Sequence, residues 1–111
     1  MASLYIAEFS YQGSIEGQAL GAVVKGPPAA EQKLTIGTSV SSAAFHAGCS
    51  VIRLNAEAAC SVAFAAALVG PNGASPPADP VATTANMRFA ANQTEYFEMK
   101  GPGKVAVITN T

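Results

Sequence analysis

Turn-forming residues interrupt this chain so often that little room is left for anything but short extended segments. YQGSIEG (11–17), KGPPAAE (25–31), FHAGC (45–49), GPNGASPPADP (70–80) and KGPG (100–103) each concentrate Gly, Pro, Asn, Asp or Ser. These residues supply positive φ, lock φ or hydrogen-bond the local backbone, and so end regular structure. Between them lie runs of strand length: SLYIAEF, LGAVVK, QKLTIG, VIRLNAE, TEYFEMK and KVAVIT. That spacing suits an all-β chain of the sandwich type. With 111 residues and no linker or internal repeat, a single domain over 1–111 is expected, large enough to bury a real core.

The side-chain pattern within these runs has a period of two. In VIRLNAE, Val51, Arg53, Asn55 and Glu57 share one face and Ile52, Leu54 and Ala56 the other, as a half-buried strand requires. In TEYFEMK, Phe97 and Met99 oppose Tyr96, Glu98 and Lys100. The segment NAEAACSVAFAAALVG (55–70) is rich in Ala, the best helix former, yet Val62 and Phe64 alternate with Ser61, Ala63 and Ala65. The alternation and the neighbouring strand favour a turn near Ala58 and Ala59 and a second strand from Cys60 to about Ala66. The stretch 70–80 has four prolines and two glycines and is expected as an exposed loop.

Both cysteines bracket this expected hairpin, in CSVIRLNAEAAC (49–60). With the turn at Ala58 and Ala59, Cys60 lies opposite about Glu57 and Cys49 opposite about Leu68. Strands rising about 3.3 Å per residue then hold the two well beyond the roughly 7 Å between α-carbons that a disulfide spans. Two free thiols in or near the core are expected, as suits a chain made in a cytosol. The start MASLYIAEFSYQG has neither a basic opening nor a long apolar stretch, and Glu8 interrupts it, so no export signal is read. The longest apolar run, VAFAAALV (62–69), is far short of the roughly 20 residues of a spanning helix, and no membrane is expected as a partner.

Charge excludes another class. Six basic and seven acidic residues give a net charge of −1, with no cluster of either sign, whereas nucleic-acid binding needs clustered Lys and Arg. Only 12% of the residues are charged and half are hydrophobic, against about 25% charged in ordinary domains, so part of the surface is expected to be covered by a partner.

Residues suited to chemistry are sparse. His46 is the only histidine, and His46, Cys49 and Cys60 lack the paired spacing of a zinc site. A His46–Cys49 nucleophilic pair is equally weak, since closeness in sequence supplies neither an oriented base nor an oxyanion hole. Glu95 and Glu98, three apart on a strand, fall on opposite faces; Asp79 or Glu57 would have to approach one of them to make a carboxylate pair. GPG at 101–103 lacks the Lys of a phosphate loop and reads as a turn. NQT at 92–94 matches a glycosylation acceptor, expected to be unused without an export signal. No catalytic residue, metal ligand or cofactor is expected, and no enzyme.

SVIRLNAEAACSVAFAAA (50–67), then MRFAANQTEYFEMKGPGKVAVITNT (87–111), together with the opening MASLYIAEF, resemble small virion proteins of tailed bacteriophages encoded among the head genes. The resemblance covers about the C-terminal half and the first strand. It implies a jelly-roll β-sandwich on the capsid exterior: a decoration, or cement, protein made in the bacterial host cytoplasm. Such a protein binds across joints between major capsid protein subunits and stabilises the shell. A dimer or trimer would suit the symmetry axes of a capsid. Other head or tail roles and carbohydrate binding through exposed tyrosines remain as alternatives. Residues 1–11 place Tyr5, Phe9 and Tyr11 on one side and Leu4 and Ile6 on the other. A strand apolar on both faces either completes its own core or lies between subunits. Leu4, Tyr5, Ile6, Phe9, Tyr11 and Tyr96 are therefore the candidate capsid-interface residues.

Overall fold

The computed structural model describes residues 2–11 and 24–111. Among them there is no helix, and every strand pairing is antiparallel. The strands are β1 (Ser3–Tyr11), β2 (Val24–Thr35), β3 (Val40–Ser41), β4 (Val51–Ala56), β5 (Cys60–Ala65), β6 (Leu68–Gly70), β7 (Gly73–Ser75), β8 (Met87–Phe89), β9 (Thr94–Glu98) and β10 (Lys104–Thr109). Two four-stranded sheets, ordered β2-β1-β4-β9 and β3-β10-β5-β8, carry the fold, and β6 and β7 form a separate small hairpin.

The core lies between these two sheets. Leu4, Ile6, Ile52 and Leu54 from the first pack in one cluster with Cys60, Val62, Phe89, Val105 and Val107 from the second. Phe97 bridges the layers, its ring centroid 4.9 Å from Phe64 and 6.1 Å from Phe89, in tilted pairs that suit the aromatic quadrupole. The alternation expected in 51–57 and 94–100 is present: Ile52, Leu54, Ala56 and Met99 are buried, and Tyr96 is exposed.

Three local expectations change. KGPPAAE does not interrupt the chain but runs inside β2. There the partner of Glu8 is Ala30 and that of Ser10 is Lys25, so a bulge places residues 26–29 opposite Phe9 alone. Pro27 and Pro28 are tolerated because they sit in this bulge on a strand that has no outer neighbour among the described residues. Second, β4 and β5 are not a hairpin. They belong to different sheets, so the turn at 57–59 carries the chain from one layer to the other; β4 pairs with β1 and β9, and β5 with β10 and β8. The thiols are nonetheless free and buried. Third, the loop at 70–80 contains the end of β6 and all of β7, turning at Pro71 and Asn72, and Pro77 within it is buried. The strand expected at LGAVVK is described from Val24 onward, and residues 20–23 lie outside the described residues, as does most of the expected turn at 11–17.

The turn after β9 has a strict requirement. Gly101 has φ +75°, and at Gly103 a Cβ would stand 2.6 Å from Met99 Sδ and 2.9 Å from the Ala65 carbonyl oxygen. Only glycine lets this segment pass beneath β5. The strand β1 meets its own requirement inside the chain: Leu4 and Ile6 are 0% and 1% exposed. They are core residues rather than an interface between subunits. Ile6→Ala is accordingly expected to cost the isolated chain about 2–5 kcal/mol, measured by urea unfolding; an unchanged midpoint would place Ile6 in an intermolecular contact.

Candidate functional site

The pairing register lays out the outer face of the first sheet. Lys33, Tyr5, Asn55 and Thr94 lie side by side in one row across β2, β1, β4 and β9, and Glu31, Ala7, Arg53 and Tyr96 in the next. In the third row, Phe9, Val51 and Glu98 are neighbours. Strand side chains alternate between faces, so this lattice follows directly from the outward positions of each run. Ala7, the smallest member, is overtopped by larger neighbours and is 2% exposed. The result is a groove of about 430 Å³ with Tyr5 and Tyr96 among its lining residues, together with Glu31, Gln32, Arg53, Asn55 and Thr94.

Aromatic and cationic groups interleave there. Lys33 Nζ lies 5.9 Å from the centre of the Tyr5 ring, and the Arg53 guanidinium 5.9 Å from that of Phe9, within the range where a ring face attracts a cation. Phe9 and Tyr96 rings are 6.5 Å apart. Phe9 and Val51, with Ala7, form a small apolar cluster of their own, beneath the groove floor. Tyr5 and Tyr96 remain 40% and 58% exposed. Of the candidate interface residues, these two present open ring surface; Phe9 is buried beneath the lattice, Leu4 and Ile6 face the core, and the side chain of Tyr11 lies outside the described residues.

A second cluster sits on the inward side of β1. Following Leu4 and Ile6, Glu8 also points inward and is 2% exposed. Its Oε1 accepts hydrogen bonds from the His46 backbone N–H at 2.7 Å and lies 2.8 Å from His46 Nδ1, while its Oε2 accepts from Gln32 Nε2 at 3.3 Å. Gln32 also clamps Ala43, accepting from its N–H at 2.9 Å and donating to its carbonyl at 3.2 Å. The segment from β3 to β4 is thereby tied across the layers, with Phe45 buried in the core. A tight turn, with the Cys49 N–H donating to the His46 carbonyl at 3.0 Å, then brings Cys49 alongside Glu8.

This cluster is not the expected set of possible ligands. Glu8 replaces Cys60, which lies on β5 opposite Phe89 and Thr109. The one available signal was a carboxylate at an inward position of an otherwise apolar strand face. The thiol is not poised as a nucleophile: burial first, then the Glu8 carboxylate, push Cys49 up to about 11, against smaller opposing help from backbone N–H groups at Phe9 and Val51. Such a thiol stays protonated at neutral pH. Burial likewise raises Cys60.

The remaining acids separate as expected. Glu95 lies opposite Leu54 and Glu98 opposite Val51, on different faces. Asp79 takes Lys104 at 2.7 Å, and Glu57 accepts from the Ser3 N–H at 2.8 Å. Asn92 of the NQT triplet holds a left-handed turn conformation, φ 65°, which Asn tolerates.

A raised thiol pKa favours the protonated folded form, so its contribution is complete below the unfolded value near 9 and disappears as pH rises to about 11. Relative to Cys49→Ala, the wild-type chain should therefore lose about 2–3 kcal/mol of stability between pH 9 and 11, read from urea midpoints at each pH. A parallel dependence in both proteins would show that Cys49 ionises freely in the fold. Comparison with protein families, curated proteins and solved structures finds no match to this chain.

Proposed function

We propose that this chain is a structural virion protein of a tailed bacteriophage. In this role it is a decoration or cement protein that binds the capsid exterior across joints between major capsid protein subunits. The observation that carries the reading is the outer face of the first sheet. It offers exposed tyrosines and a guanidinium, residue types enriched at protein interfaces, beside amide and hydroxyl groups on a four-stranded support. Low overall charge agrees with a surface intended for cover rather than for water.

The strand order supports the jelly-roll form of the fold. Eight strands of a jelly roll, numbered along the chain, form sheets 1-8-3-6 and 2-7-4-5. With the small hairpin set aside and β1 taken as the eighth strand, the order β2-β1-β4-β9 and β3-β10-β5-β8 has that pattern, rotated by one strand. The chain is synthesised in the host cytoplasm and acts on the assembled head, as a dimer or trimer seated on a symmetry axis. It uses no catalytic group.

Purified protein is expected to cosediment with expanded heads that lack it and to raise the temperature at which they release DNA. The double substitution Arg53→Ala with Tyr96→Ala should weaken binding at least about tenfold, since each is a typical anchor residue, while leaving the unfolding midpoint of the free protein nearly unchanged. Absence of binding by the wild-type chain to such heads would overturn the assignment.

A second reading is favoured by Tyr5 and Tyr96 lining the same groove with Asn55, Thr94 and Arg53 between them. Two strand spacings across and one two-residue step along separate the tyrosine α-carbons by roughly 12 Å, room for sugar rings to stack with hydroxyls on the intervening polar groups. Saturable binding of the isolated protein to a glycan, lost in Tyr5→Ala and in Tyr96→Ala, together with no binding to heads, would select this alternative.

A further inference from the structure

We propose that Glu8, His46 and Cys49 form a binding site for a divalent metal ion of the zinc class, on the opposite side of β1 from the groove. A carboxylate oxygen of Glu8, a ring nitrogen of His46 and Cys49 Sγ all lie within 4.8 Å of one another. Tetrahedral zinc with bonds of about 2.0–2.3 Å holds its ligand atoms roughly 3.5 Å apart. No pair of donors exceeds that spacing by more than about 1 Å, and Glu8 Oε1 and His46 Nδ1, 2.8 Å apart, stand inside it.

The surroundings of each donor point the same way. Glu8 is a buried carboxylate whose partners are an amide, a backbone N–H and the imidazole; no Lys or Arg pairs with it among the described residues. His46 Nε2 is shielded from solvent and has no hydrogen-bond partner, which costs free energy that a metal-bound arrangement of the ring can recover. The Cys49 thiol donates only weakly to the Val51 carbonyl oxygen, at 3.8 Å. A thiolate beside a buried carboxylate is unfavourable without a cation, and the ion supplies one.

Donor chemistry selects the class of metal. Sulfur, imidazole and carboxylate together suit zinc and its spectroscopic substitute cobalt, whereas calcium and magnesium demand oxygen ligands throughout. Three protein donors leave a fourth position for water, and the His46 side chain, 31% exposed, gives the ion a route inward. Binding replaces the S–H bond of Cys49 by a sulfur–metal bond and releases that proton to solvent; the imidazole binds in its neutral form, and nothing is oxidised or reduced.

The test is titration of the metal-free full-length chain with Co²⁺. A thiolate-to-cobalt band in the near ultraviolet, with the visible bands of tetrahedral cobalt, should saturate at one equivalent and vanish on addition of excess Zn²⁺. Zn²⁺ alone should raise the melting temperature. Cys49→Ser should abolish the near-ultraviolet band and Cys60→Ser retain it. Glu8→Gln, which still accepts a hydrogen bond from His46, should lower Co²⁺ affinity by about tenfold or more. The proposal is overturned if the folded wild-type chain gives no thiolate band with Co²⁺. It is equally overturned by a band that follows Cys60, or by a Glu8→Gln chain that binds Co²⁺ with wild-type affinity.

Discussion

The register of β1 between β2 and β4 is the constraint on which the rest of the structure depends. Because strand side chains alternate, a slip of one residue would exchange the two faces of the whole strand. In the observed register Leu4 and Ile6 are paired alongside Leu34, Gln32, Ala56 and Leu54 and fill the space between the layers. The same choice sends Tyr5, Ala7 and Phe9 outward. One strand thus builds the centre of the core and the floor of the groove at once, and neither can be altered without the other.

Glu8 is the exception on the inward face. A carboxylate buried to this degree is tolerated only with its hydrogen-bonding capacity used, and it is used here to hold the segment joining β3 to β4. The His46 N–H, the imidazole and the Gln32 amide converge on it, and Phe45 beside it enters the core. Fastening a loop in this way positions Cys49 next to two further donors, so the structural role of Glu8 and the proposed metal site arise from one arrangement. The outer groove requires none of this chemistry. Its character comes from size contrast, with Ala7 low among Tyr5, Arg53 and Tyr96, and from rings that serve as platforms for cations.

Much of the local structure was legible from residues. Alternation in VIRLNAE and TEYFEMK identified strands and assigned their faces, and the turns expected at 45–49 and 100–103 are present. Two prolines in KGPPAAE misled because their effect depends on whether a strand has a neighbour on its N–H side. The expected hairpin at 51–66 misled because a short connection is compatible with pairing in one sheet and with a step between two. Three tyrosines spread through the sequence left a sugar platform as an alternative only, because they do not cluster there, yet Tyr5 and Tyr96 reach the same groove through the pairing of β1 with β4 and of β4 with β9.

By itself the sequence determined that the chain is made of short strands, and which residues of the best-patterned runs share a face. These follow from backbone sterics and period-two alternation, which act between near neighbours. Only the tertiary structure decided which strands lie side by side, that β4 and β5 belong to separate layers, and that Glu8, His46 and Cys49 meet. Pairing partners are chosen by burying one shared core against the cost of closing long loops, a balance struck over the whole chain and written in no single segment of it.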